Sequence, residues 1–267
     1  ESFVKSIKTI HTKCDDEINW NHINAINEPF NPDGMGPRQA AAIQALDNFK
    51  PNFIQKAIKS IAENKKASLA QAVEKAKIED RAEYEEWKSL NLLSQRILAG
   101  DIDAYFEVIN GMNPLDDLLE YGSDFEFGAD VSTAMEVEFR VKSKQIVPTF
   151  SMSLTKTGKL SKKELTKTAY YELVHDYVCS CAIRIARDMF ALLPLKTVVI
   201  HAVDNILNSE TGHREDVTIL SVVFERDTLN KLNFINIDPS DAMGNFRHNM
   251  KFLKTSGFRP VERITNY

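Results

Sequence analysis

Residues 170–226 read YYELVHDYVCSCAIRIARDMFALLPLKTVVIHAVDNILNSETGHREDVTILSVVFER. The run spells a long apolar helix, a short hydrophobic strand, a polar loop and a second hydrophobic strand. Within the helix Glu172, Asp176, Arg184 and Asp188 recur at multiples of four, a spacing that predicts one narrow exposed stripe. Tyr177, Val178, Cys181, Ile183, Ile185, Met189 and Phe190 occupy the remaining surface, so the helix has to be covered on most sides. The strands expected at 197–203 and 217–224 are apolar on both faces, as central strands are.

Upstream of this core the hydrophobic period is also that of strands. Phe125, Phe127, Ala129 and Val131 alternate with polar residues, as do Met135, Val137, Phe139 and Val141, and then Ile146, Phe150, Met152 and Leu154. Three such runs joined by short links predict an antiparallel meander with one buried face. A polar connection at 155–167 then leads into the helix. Downstream, Asp238 or Ser240 is expected to cap a helix running to about Lys254.

Before residue 122 the reading is helical. Arg38–Phe49 is alanine-rich, and Pro51 suits the first position of the next helix, whose apolar face is Phe53, Ile54, Ala57, Ile58 and Ile61. The polar AENKK at 62–66 permits a reversal before a long helix at 68–98, capped by Ser68 and stopped by Gly100. Its seams, Leu69–Val73–Ala76 and Trp87–Leu90–Leu93–Ile97, are separated by the charged EKAKIEDRAEYEEWK. That block reads either as a solvated arm held by i,i+4 ion pairs of about 0.3 kcal/mol each or as a helical hairpin that meets a protein partner. Residues 1–37 form an irregular arm broken by Asn, Pro and Gly, which Trp20, Ile23, Ile26 and Phe30 could pin to a neighbour.

Charged residues at 27% and hydrophobic ones at 43% exclude wholesale disorder, and a net charge of −5 argues against a broad nucleic-acid-coating surface. Three cysteines, Cys14, Cys179 and Cys181, are too few and odd in number for a disulfide framework and fit a reducing, cytoplasmic setting. No uncharged apolar run is long enough for a membrane span. The start at Glu1, without methionine, reads as a fragment that lacks an N-terminal module.

HTKC (11–14), INW (18–20), DYVCSC (176–181), TGH (211–213) and MKFLK (250–254) together resemble a bacterial family of unassigned function. Its full-length members carry a small glycine-rich domain ahead of such a region. The resemblance spans most of the chain, implies a bacterial or phage origin and a missing N-terminal module, and carries over no activity and no site.

Three constellations have chemistry to offer. Asp130, Glu136, Glu138, Arg140 and Lys142 are expected on the non-buried face of the first two strands. Carboxylates and a cation on adjacent strands are what a magnesium-dependent phosphodiesterase needs, the oxygens for a hard cation and the positive charge for the water. Strand, strand, strand, long helix, strand also resembles the core of restriction-endonuclease-like nucleases, whose motif is Asp, then Glu, one residue and Lys. Here the candidates are Asp130, Glu138 and Arg140, and arginine, which cannot give up a proton, stands in place of lysine. The competing reading is a solvated sheet face laced by cross-strand ion pairs.

The second set is His201, Asp204, His213 and Glu215 around one hairpin. His201 is expected as a buried, hydrogen-bonded histidine between sheet and helix, with a His/Asp/His metal cluster as the alternative. The third is TKTGKLSKK (155–163), in which Lys156, Thr157 and Lys159 could bind phosphate, although the spacing is not that of a P-loop. Cys179 and Cys181 lie about 200° apart around a helix and cannot chelate together, so they read as core fillers.

The fold expected is therefore α+β: a helical N-terminal half with a long charged helix, then a mostly antiparallel sheet packed by a long apolar helix. The boundaries fall at 1–37, 38–122 and 123–267. The functional expectation is a non-enzymatic interaction or scaffold module of a larger bacterial protein, with a partner on the 68–98 helix and no metal ligand assigned. The alternatives are a magnesium-dependent nuclease through Asp130, Glu138 and Arg140, which would bind nucleic acid, and a nucleotide or small-ligand sensor built on Lys156, Thr157 and Lys159.

Overall fold

A computed structural model describes residues 2–121, 124–154, 158–208 and 210–267. In chain order the elements begin with the helices α1 (Ser2–Lys8), α2 (Trp20–Asn24), α3 (Pro37–Asp47), α4 (Phe53–Ala57), α5 (Lys59–Leu98) and α6 (Ile102–Met112). Then come β1 (Phe125–Val131), β2 (Ala134–Val141), α7 (Ser143–Ile146), β3 (Phe150–Leu154), β4 (Leu160–Glu164) and α8 (Lys167–Leu192). The chain continues through β5 (Thr197–Leu207), β6 (Arg214–Glu225), α9 (Arg226–Leu229), α10 (Pro239–Ala242), β7 (Arg247–Leu253) and β8 (Gly257–Arg259). The architecture is α+β, with a helical N-terminal half followed by a mostly antiparallel sheet and a long helix. Two compact units divide it, residues 1–18 with 100–267, and residues 19–99. These cuts fall at Ile18 and Gly100, whereas the sequence reading placed its boundaries at 37 and 122.

The first unit is built on a six-stranded sheet of order β1-β2-β5-β6-β7-β8. β2 and β5 run parallel, joined through α8, and every other pair is antiparallel. Val137, Ile200 and Val222 sit side by side in register, and with Phe139, Ala202 and Phe224 they form a fully buried face. From Leu173 to Leu192 nearly every residue of α8 is buried.

The stripe on α8 is where the structure departs from expectation. Asp176, Arg184 and Asp188 are buried, because α1, the turn at Ile10–Thr12 and the segment around Asp117 close over them. Most of these polar groups gain a partner as they are covered, while Arg184 Nη1 and His11 Nε2 are buried without a hydrogen bond. Lys8 Nζ lies 2.7 Å from Asp176. Ser180 accepts the His11 backbone N–H at 2.9 Å. Arg184 donates to Asp188 at 2.5 Å and lies 3.3 Å from Asp117. Burial dominates the Asp188 carboxyl and pushes it up to about 6, against the pull of Arg184. The C-terminal carbonyls of Phe190 and Leu193 accept from Arg226 at 2.8 and 2.6 Å, which satisfies groups that a helix end leaves open.

Two further expectations fail around the sheet. The third meander strand does not join it: Ser143–Ile146 is a helical turn, Pro148 follows, and β3 pairs with β4 in a separate two-stranded sheet. Proline cannot donate to a ladder, so the run could not continue beside β2. The polar connection thus contains a strand, β4. The helix expected at 240–254 is only Pro239–Ala242, followed by strand β7, in which the partly buried His248, Met250 and Phe252 alternate with exposed residues. At the β7–β8 turn Gly257 has φ +76°, and a Cβ there would meet the Tyr171 ring at 2.7 Å.

The second unit is organised by α5, a single helix of 40 residues. The expected reversal at 62–66 is absent, since Ala, Glu, Asn and Lys all tolerate helix and neither Gly nor Pro interrupts them. Pro51 precedes the next helix instead of opening it. That helix, α4, starts at Phe53 under an Asn52–Gln55 capping box. Along α5 the two seams are bridged by Asp80 and Tyr84, against which α3 and Phe30 pack. The Asp80 carboxylate is buried and accepts the backbone N–H groups of Arg38 and Gln39 at 3.2 and 2.8 Å, capping α3 from outside. A Cβ on Gly36 would lie 2.2 Å from that carboxylate, so this approach requires glycine. Trp87 donates to the Ile26 carbonyl at 2.9 Å and Asn91 to Asn24 at 3.1 Å, while Phe30 meets Tyr84 at 5.6 Å between ring centres. The irregular segment is pinned in this way.

Candidate functional site

Alternation on β2 turns Glu136, Glu138 and Arg140 away from the buried face, and the parallel register sets Glu138 beside His201 of β5. On the other side His201 pairs with Ser221 of β6. These side chains therefore share the face opposite α8. His201 is only 1% exposed, yet it does not lie between sheet and helix as the sequence suggested. The C-terminal segment covers it instead.

That segment crosses the polar face through a series of directed contacts. The Val261 N–H donates to Thr218 at 2.9 Å, and the Ile264 N–H donates to Ser221 Oγ at 2.9 Å. Arg263 donates to Glu138 at 2.5 Å and to Thr218 Oγ1 at 3.0 Å. The Tyr267 hydroxyl donates to Glu136 at 3.1 Å. Arg140, for its part, donates to Asp216 at 2.5 Å and lies 3.8 Å from Glu138.

The electrostatics follow from this packing. His201 Nε2 lies 3.3 Å from Glu136, while Nδ1 is buried without a hydrogen bond. Burial holds the imidazole below its usual value, and Arg263 adds to that effect while Glu136 and Glu138 oppose it. The Tyr267 phenol is pushed up to about 12, first by burial and then by Glu136, so it remains a donor. Asp216 is lowered by hydrogen bonds from Asn205 and Arg140. Glu136, His201 and Ser221 are the residue types of a charge relay, but here Ser221 Oγ accepts a backbone N–H and His201 Nδ1 makes no hydrogen bond. In this arrangement the three do not activate a nucleophile.

Of the nuclease candidates, Glu138 and Arg140 are neighbours on β2, each engaged in an ion pair, and Asp130 lies exposed near the end of β1. Asp204 accepts from Ser143 at 2.9 Å, and His213 is exposed in the β5–β6 loop. Among the described residues no three His, Cys, Asp or Glu side chains are grouped so as to hold a metal. Lys156 and Thr157 lie outside the described residues, and Lys159 is exposed beside Gly158. Cys179 and Cys181 are wholly buried on α8. No helix among the described residues is long and apolar enough to cross a membrane.

Sequence reasoning missed Asp216, Arg263 and Tyr267. Strand alternation could have placed Asp216, but nothing local in RPVERITNY announces that it closes over a sheet. Comparison of the chain with protein-family models, with curated proteins and with solved structures finds no match.

Proposed function

We propose that this chain is a non-enzymatic interaction module of a larger bacterial protein, meeting a protein partner through its helical unit and the charged helix at 68–98. One observation carries the reading. Phe53, Ile54, Ile58 and Ile61, the apolar face of α4 and the start of α5, are 88%, 62%, 48% and 41% exposed. Four large apolar side chains within nine residues make a patch of the kind that marks interaction sites. Covering them would stabilise a complex by roughly 1.5–3 kcal/mol for each side chain fully buried.

The test places a photocrosslinking residue at Ile54, with Lys65 as the polar comparison, in the full chain inside cells. A discrete adduct from position 54 that is missing at position 65, and that disappears in Phe53→Asp/Ile58→Asp, is expected. Since both sites are exposed, the double variant should melt like wild type. Identical adducts from both positions, or none, would refute the reading.

A second reading, magnesium-dependent cleavage of nucleic acid, rests on the nearness of Glu138 and Arg140 on one strand, although the register sets Glu126 and not Asp130 opposite Glu138. Arg263 neutralises Glu138, so this chemistry would require the C-terminal segment to lift. Cleavage of DNA or RNA that depends on magnesium and is lost in Glu138→Ala would favour it over the interaction reading.

A further inference from the structure

The β3–β4 hairpin is a sheet of two strands, so one edge of β3 is taken by β4 and the other is an outer edge. Against β3 lies a groove of about 600 Å³, lined by Phe3, Val4 and Lys5 of α1 and by Pro148, Phe150 and Met152. Ser151 lines it as well. Phe150 and Met152 share one face of β3 and Ser151 belongs to the other, so the groove touches the strand where its outer backbone groups lie.

The register says what the edge offers. The Leu165 N–H donates to the Thr149 carbonyl at 2.9 Å, and the pairing continues as Phe150 with Glu164 and Ser151 with Lys163. In an antiparallel pair the hydrogen-bonded residues alternate. Thr149, Ser151 and Ser153 therefore address β4, and the backbone N–H and C=O groups of Phe150 and Met152, both lining residues of the groove, point away from β4. Its floor is apolar: Phe3 and Met152 remain 52% and 46% exposed.

The surroundings are basic in a chain whose net charge is −5. Lys5 and Lys8 line the groove, and Lys159, Lys162 and Lys163 stand on or beside β4, where Glu164, opposite Phe150, is the one acid of the strand. Lys162 Nζ sits 3.8 Å above the Phe150 ring. Lys8 reaches Asp176 yet keeps 49% of its side chain exposed.

We infer that this groove binds an extended segment of a partner protein, with carboxylates among its apolar side chains, as a third strand on β3. Outward N–H and C=O groups beside an apolar wall call for a ligand that brings its own backbone, which a lipid chain does not. The lysines select acidic side chains. They also disfavour a second copy of this chain, because pairing two β3 edges would bring lysines against lysines. Five residues of strand, about 17 Å, match the length of β3. The inference deepens the interaction-module reading but uses a different surface from the α4–α5 patch, so peptide binding and crosslinking at Ile54 can fail independently.

The probes are fluorescent pentapeptides in which Glu alternates with Val, Ile or Phe, measured by anisotropy on the full chain. Their Lys-for-Glu counterparts serve as controls, as do versions N-methylated at alternate residues. Saturable binding of at least one acidic peptide is expected, weakened tenfold or more by N-methylation in one of the two phases, by Lys5→Glu and by Met152→Pro. Proline at an outward-facing edge position leaves the β4 ladder intact, and the N-methylated peptides test the edge without altering the protein. The inference is overturned if no acidic peptide binds, if N-methylation has no effect, or if the lysine peptides bind equally well. It is likewise overturned if the chain dimerises on ultracentrifugation and Met152→Pro dissolves the dimer, or if vesicles of phosphatidylglycerol compete the peptide away.

Discussion

His201 shows how much one side chain owes to what lies over it. Its strand is apolar, so burial follows from the sequence, but its acid neighbour, Glu136, comes from β2 and its cover is the C-terminal segment. Replacing it with alanine removes packing and leaves Glu136 facing an empty space under Tyr267. The expected cost is about 1–3 kcal/mol, read from the urea midpoint of unfolding. A chelator should leave the wild-type midpoint where it is. A midpoint that chelator lowers in wild type and not in His201→Ala would instead make the ring a metal ligand.

At the scale of elements, α5 depends on a charge at its centre. Asp80 is buried in mid-helix and supplies to α3 the acceptor that Gly36, at its N-cap, cannot. Asp80→Ala is therefore expected to destabilise the helical unit by about 1–2 kcal/mol and to open the first turn of α3 to hydrogen exchange, while Asp80→Asn retains part of the cap. Unchanged protection at Arg38 and Gln39 in the alanine variant would disprove the capping role. The β3–β4 hairpin offers the opposite lesson. β3 follows the period-2 pattern, yet its position is decided by Pro148 and by the turn at Ser143–Ile146.

Across the whole molecule, three histidines of the sheet-containing unit, His11, His175 and His201, are held below the usual value of 6.5, in each case mainly by burial. A histidine with a depressed value binds its proton more readily in the unfolded chain. Stability is then lost as pH falls through 6.5 toward the folded value, and it is fully present above 6.5. Asp188, raised to about 6 from 3.8, acts in the other direction: its penalty is present above about 6 and is relieved as pH falls toward 3.8. The thermal midpoint should therefore drop between about pH 7.5 and about pH 5.5, and the drop should shrink in His201→Gln, which no longer titrates there. A variant whose slope matches wild type would show that His201 is not part of this acid limb.

By itself the sequence determined the elements with a sustained hydrophobic period and which of their residues share a face. The period of 3.6 at 170–192 and the period of 2 at 125–141 are local properties, fixed by backbone geometry, and they carry the α+β class. The same alternation is present in RHNMKFL of β7, where the caps at Asp238 and Ser240 serve a helix of one turn and not a long one. What covers each face was decided only by the tertiary structure. Spacing alone made the α8 stripe look solvent-facing, until Lys8, His11 and Asp117 closed over it from distant parts of the chain. It could not bring Arg263 to Glu138, 125 residues away, or send β3 to a partner other than β2. A period specifies one side of a contact; the other side is chosen by chain reversals and long-range pairing, whose energies belong to no single stretch of residues.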